Sequence, residues 1–402
     1  MIAFNKTALD ATFLVDEALN LKSSGFIANN DLLSVKAQNN VLKCNKNIFF
    51  RIGFLLLGLL LFGSVMLVLA WFVFVGGNNS QFSSTIYFAL ASIFGVFACE
   101  IISKQHYRFG IDDAFIVSTI GCIFGFIFCL MEYNLSSNEF GVSNFTNGWS
   151  GVLSIAFAIV SALFCLRYCN WVSCLLSICA AVCSFYYFCN SFVFGLKLMP
   201  FLMLFFGMGL FFFQHYLQAK NKQYFYLNSL LVVKVMSLAL IYFSCNYLVV
   251  LQLSETLLGT VISNGQNIPF APFFWVFTFL VPTFYLIWSI LKKDKVFLYI
   301  GFLTLCFSMF TFRSYYSVLP IEIAMTLGGF VVFVCTLFII KKIKNNDSGI
   351  TFKPSRNANS GVLVGIEALI VNSQVNVPQT SVENPMEFGG GGFSGGGAGD
   401  SF

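Results

Sequence analysis

The feature that most restricts this chain is Ile52–Val75, 24 consecutive residues without a charge. At about 1.5 Å per residue such a helix runs about 36 Å, enough to cross a hydrocarbon core of about 30 Å. A backbone in hydrocarbon must satisfy its own polar groups, and a helix does so within one segment. Arg51 stands just before the run and Gly76-Gly77 just after it. The chain ahead of it is charged, and most of the chain behind it is as apolar as the run itself.

Composition agrees with this reading. Of 402 residues, 58% are hydrophobic and 10% charged, against about 25% charged in soluble domains. The 52 Phe are spread over the whole apolar region. The chain therefore reads as an all-α, polytopic integral membrane protein. Ten spans are expected, at about 52–75, 84–103, 114–131, 149–166, 171–190, 198–215, 229–250, 272–291, 295–312 and 318–340.

The charges phase this count. With ten spans both termini share one side, and that side carries 19 of the 22 Lys and Arg. Lys197 and Arg313 fall opposite, and Lys234 lies within the seventh span. The positive-inside rule then puts both termini in the cytoplasm. The net charge of +5 is a topology signal and not a nucleic-acid one, because no basic patch with interleaved aromatics occurs.

Residues 1–48 read as a cytoplasmic helical hairpin. Leu9, Phe13, Leu14, Ala18 and Leu21 form an apolar stripe, and Ser23-Ser24-Gly25 ends the first helix. Asn30 or Asp31 is expected to cap the second. Residues 343–402 read as a flexible cytoplasmic tail, closing on the Gly-rich FGGGGFSGGGAGDSF.

The hairpin-plus-spans layout resembles an uncharacterised bacterial multi-pass family, that of domain of unknown function 2157. The resemblance rests on Leu21–Ile27 in the hairpin, on Gly110-Ile111-Asp112-Asp113-Ala114, and on Arg313-Ser314-Tyr315-Tyr316 with Leu319-Pro320-Ile321. The Gly-rich end is similar to tails of bacterial envelope proteins that carry TPM-type domains. The resemblance implies a bacterial cytoplasmic-membrane location and brings no activity or catalytic residue with it.

Ionisable residues within spans are costly and are the first functional candidates. Glu100 and Lys234 fall at similar depth near the cytoplasmic side, where they could pair. Glu322 lies near the outer face, in a polar cluster with Arg313, Tyr316 and Pro320. Asp112 and Asp113 precede the third span, one of them well placed to cap its N-terminus. The thirteen Cys show no CxxC and no partnering His, so they read as small residues packed between helices, and no metal or cofactor is expected. Catalytic spacings such as GxxxxGK[ST], HExxH and GxSxG with partners do not occur.

The expected role is therefore non-enzymatic: an envelope scaffold or complex subunit, with the lipid bilayer and other envelope proteins as partners. The alternative is a secondary transporter of a small solute, its ten spans arranged as five plus five. In that scheme Gly53, Gly58 and Gly63 of the first span correspond to Pro200, Gly207 and Gly209 of the sixth, and both spans would break.

Overall fold

The computed structural model describes residues 2–315, apart from 24–25, 40, 46, 76–79, 137–145, 193–194, 221–223, 259–268 and 293, together with isolated positions between 326 and 341. Among them there are twelve α-helices and no strand. Two short helices come first, α1 (Lys6–Ser23) and α2 (Asn29–Gln38). Long apolar helices follow: α3 (Ile48–Val75), α4 (Ser80–Ser103), α5 (Ile111–Ser136), α6 (Thr146–Tyr168), α7 (Trp171–Asn190) and α8 (Gly195–Lys220). A 3₁₀ turn, Tyr224–Tyr226, leads into α9 (Leu227–Cys245), α10 (Tyr247–Leu258), α11 (Ala271–Lys292) and α12 (Lys295–Tyr315).

Nine of these helices, α3 to α9 with α11 and α12, are long and apolar enough to cross a membrane. The protein is thus a multi-pass, all-α membrane protein. The tenth expected span, 318–340, and the tail, 343–402, lie outside the described residues. In α3 only 11% of the most apolar stretch is buried among the described residues.

Consecutive helices pack as antiparallel pairs: α4 with α5, α6 with α7, α8 with α9, and α11 with α12. The helix α3 leans on α5 and α4, and α7 joins the two halves through α9. Small residues set the close approaches, as expected where lipid gives no hydrophobic drive. A Cβ on Gly58 would lie 2.8 Å from Ala114 Cβ, and one on Gly207 3.1 Å from Ile241 Cγ1. Gly53, Gly63 and Gly209 have open space around them. Neither α3 nor α8 breaks, so the glycines of the first and sixth spans do not mark unwound segments. Pro200 sits near the start of α8 and leaves the helix continuous.

The seventh span differs from its expected form. The run 229–250 is two helices, divided at Asn246, whose backbone is extended. The signal was hidden, since a single Asn in an apolar run does not by itself predict a break.

The hairpin lies on the end of the bundle that gathers the α4–α5, α6–α7 and α8–α9 connections. Ala3 N–H donates to the Arg167 carbonyl at 2.9 Å, and Leu42 N–H to Thr12 Oγ1 at 3.1 Å. Lys43 N–H donates to the Gln105 carbonyl and the Lys43 carbonyl accepts from Tyr107 N–H, both at 3.1 Å, forming a single parallel bridge between Lys43 and His106. Phe4 and Phe13 pack on Tyr107, and Phe13 also on Phe225. In α2, Asp31 caps from within the helix: its carboxylate accepts from Ala28 N–H, and Ala28 holds the N-cap position.

Candidate functional site

Two polar centres stand out in this apolar bundle. The first joins α3, α5 and α7 at the lysine-rich end. Gly110 adopts φ +113°, and a Cβ there would overlap the Arg51 carbonyl oxygen, so the turn before α5 presses directly on the start of α3. Arg108, at φ +54°, shares the tight turn. Asp112 closes it: its carboxylate accepts from the N–H groups of Arg108, Phe109 and Gly110 at 2.7–3.0 Å. Asp112 thus closes the turn from the second residue of α5; neither Asp takes the N-cap place expected for one of them, because Gly110, whose carbonyl accepts from Ala114 N–H, precedes the helix.

Asp113 does something different. Its Oδ2 accepts from Arg51 Nε at 2.9 Å and from Arg51 Nη2, and its Oδ1 accepts from Asn170 Nδ2 at 2.7 Å. Asn170 turns its own Oδ1 to Val172 and Ser173 N–H, capping α7. One carboxylate therefore ties the starts of three spans, with its side chain only 5% exposed. The Gly110–Ala114 motif is the joint of this end of the bundle.

Two further pairs lie at the same end. Glu100 Oε1 accepts from Arg167 Nε at 2.6 Å and from Tyr168 Oη at 2.8 Å, linking α4 to α6. Lys234 pairs with Asp294, and its ammonium lies 5.0 Å from the Phe297 ring centre, linking α9 to the α11–α12 connection. Glu100 and Lys234 therefore do not pair with each other. Glu100 takes its partners from the last turn of α6 and Lys234 takes Asp294 from the α11–α12 connection, and in both pairs the second charge stays near water. Asp294 stands among Lys292, Lys293 and Lys295, and this lysine cluster masked it in the sequence.

Arg313 lies near the end of α12, half-buried, at the opposite end of the bundle. Tyr316 and Glu322 lie outside the described residues, as does Pro320.

The second centre surrounds the break at Asn246, which is fully buried. Asn246 Nδ2 donates to Tyr242 Oη at 2.9 Å and to Thr311 Oγ1 at 3.0 Å. Its Oδ1 accepts from Val249 N–H and faces Thr311 Oγ1, each at 3.2 Å. Tyr242 Oη lies 2.8 Å from Ser308 Oγ, which donates to the Thr278 carbonyl at 2.6 Å. That carbonyl is free because Pro282, four residues on, has no N–H to offer it. Thr278 Oγ1 accepts from Tyr247 N–H, the first donor after the break, at 3.0 Å. The helix break and the proline thus supply the loose backbone groups, and three helices supply the side chains that satisfy them. Sequence reading missed this centre. Its one signal was spacing: Tyr242 and Asn246, and Thr278 and Pro282, each stand four residues apart.

Several cysteines also join helices. The thiols of Cys165 and Cys174 both reach Ser229, at 3.5 Å, across α6, α7 and α9. Cys169, in the α6–α7 connection, is pushed up to about 12 by burial, with Cys165 adding to the effect. Burial likewise raises the Tyr107 and Tyr226 phenols. These groups stay protonated and neutral at physiological pH. No group of three or more His, Cys, Asp or Glu able to hold a metal occurs among the described residues.

The chain matches no family model, no curated protein and no solved structure.

Proposed function

We propose that this protein is a non-enzymatic scaffold or complex subunit of a bacterial cytoplasmic membrane, with both termini in the cytoplasm. The observation that carries the reading is where the charges go. Glu100, Asp113 and Lys234 each hold a neighbouring helix or connection. They act as fasteners of the bundle, which suits a body built to present surfaces. The hairpin supplies such a surface. It is bonded to the lysine-rich end, yet Leu14, Phe26 and Leu33 remain exposed on it. The sign of the connections supports the cytoplasmic side for that end.

The test is photo-crosslinking from Leu33 in native membranes. A specific adduct that disappears when Leu14 and Phe26 are changed to Ser supports the reading. Random adducts only, together with solute uptake by the purified chain in proteoliposomes, would overturn it.

One observation favours the transporter instead. A broken helix surrounded by buried hydroxyls and an amide is how polar cargo is held at membrane depth in such proteins. The break lies in the seventh span, not in the first and sixth. Sodium-dependent uptake abolished by Asn246→Ala would select that reading.

A further inference from the structure

The lysine-rich end holds a crevice of about 270 Å³ between the hairpin and the bundle. Asn5 lines it from just before α1 and Ala8 from α1, Lys43 from the segment before α3, and Lys104 and Gln105 from the turn after α4. The backbone bonds from Lys43 N–H to the Gln105 carbonyl and from Tyr107 N–H to the Lys43 carbonyl, both 3.1 Å, hold the two lysine-bearing segments side by side. Among the described residues neither lysine is ion-paired. The nearest carboxylate along α4, Glu100, is taken by Arg167 and Tyr168. Among the described residues no acidic side chain lines the crevice. The crevice therefore holds two cations and two side-chain amides, a set suited to a phosphate.

Its position says which phosphate. Ile93, Phe97 and Ile101, spaced four apart along α4, are 68%, 68% and 53% exposed. They form an apolar stripe facing lipid, and Lys104 and Gln105 follow directly beyond its end. Gln105 N–H still bonds back to the Ile102 carbonyl at 3.2 Å, so the turn keeps the helical direction. An acyl chain lying along the stripe brings its headgroup to the mouth of the crevice.

We infer that this crevice is a binding site for an anionic phospholipid, its phosphate between Lys43 and Lys104 and one acyl chain along Ile93, Phe97 and Ile101. The site also explains why the hairpin is bonded there: the lipid would touch both the hairpin and the bundle.

Native mass spectrometry of the full-length protein, exchanged into phosphatidylcholine micelles and titrated with phosphatidylglycerol, tests this. One phosphatidylglycerol should remain bound under activation that strips phosphatidylcholine. Lys43→Gln with Lys104→Gln should weaken it about 30-fold, at about fivefold for each lysine near a headgroup. Lys22→Gln with Lys36→Gln, an equal change of charge on the hairpin, should leave it in place. Unchanged melting of the Lys43/Lys104 variant in phosphatidylcholine alone shows that the fold is kept. Three results would overturn the inference: full retention by the Lys43/Lys104 variant, equal loss in the Lys22/Lys36 variant, or displacement of the lipid by millimolar inorganic phosphate.

Discussion

Asp113→Ala removes the carboxylate that ties the starts of α3, α5 and α7 together. The carboxylate accepts two bonds from Arg51 and one from Asn170, and its side chain is almost wholly buried. Removing it leaves a guanidinium with its counter-charge gone and an amide without an acceptor. Breaking a buried pair by deleting one partner costs about 3–5 kcal/mol. The Arg51 side chain is 24% exposed, and partial hydration brings the expected loss to about 3 kcal/mol, a factor of about 150 in the folding equilibrium. Asp113→Asn keeps one acceptor oxygen for Arg51, loses the charge and sets its NH2 against Asn170, so it should recover only part of the loss. Replacing the pair together, Arg51→Met with Asp113→Leu, should recover all but the roughly 1 kcal/mol that Asn170 loses with its partner. The assay is reversible unfolding in mixed micelles with increasing SDS, followed by Trp fluorescence. A loss below about 0.5 kcal/mol for Asp113→Ala, or strictly additive costs for the two positions, would refute the reasoning.

Three further outcomes follow from the packing. Asn246→Ala removes bonds to Tyr242, Thr311 and Val249 and should cost about 2 kcal/mol in the same assay, at about 0.6 kcal/mol for each bond within a membrane. Gly58→Ala drives a methyl against Ala114 and should cost about 1–3 kcal/mol, while Gly53→Ala, in open space, should be neutral or slightly stabilising. Gly110→Ala meets both a positive φ and the Arg51 backbone, so the folded protein should be lost from the membrane fraction on expression.

The layout was legible because spanning lipid demands long uncharged runs, and nothing else in a sequence looks like Ile52–Val75. Glycine roles were half legible. Sequence could not separate Gly58, pressed on Ala114, from Gly53 and Gly63 in open space. Pairings were not legible. Glu100 and Lys234 share a depth, but depth does not say which helices are neighbours, and α4 meets α6 while α9 meets the α11–α12 connection. The Asn246 centre was invisible for a related reason. Asn, Thr, Ser and Tyr scattered through apolar spans look incidental until three helices bring them within 3 Å of one another.

The central claim is that ionisable groups within the spans are cross-helix fasteners with specific partners. Double-mutant cycles among Glu100, Arg167, Lys234 and Asp294 test it most directly. Glu100 with Arg167, whose side chains are 32% and 47% exposed, should couple by about 0.5–1 kcal/mol, because solvent screens the pair. Lys234 with Asp294, more enclosed, should couple by about 1–2 kcal/mol. Glu100 with Lys234 should be additive within about 0.3 kcal/mol. Coupling between Glu100 and Lys234, with additivity in the other two pairs, would contradict the account.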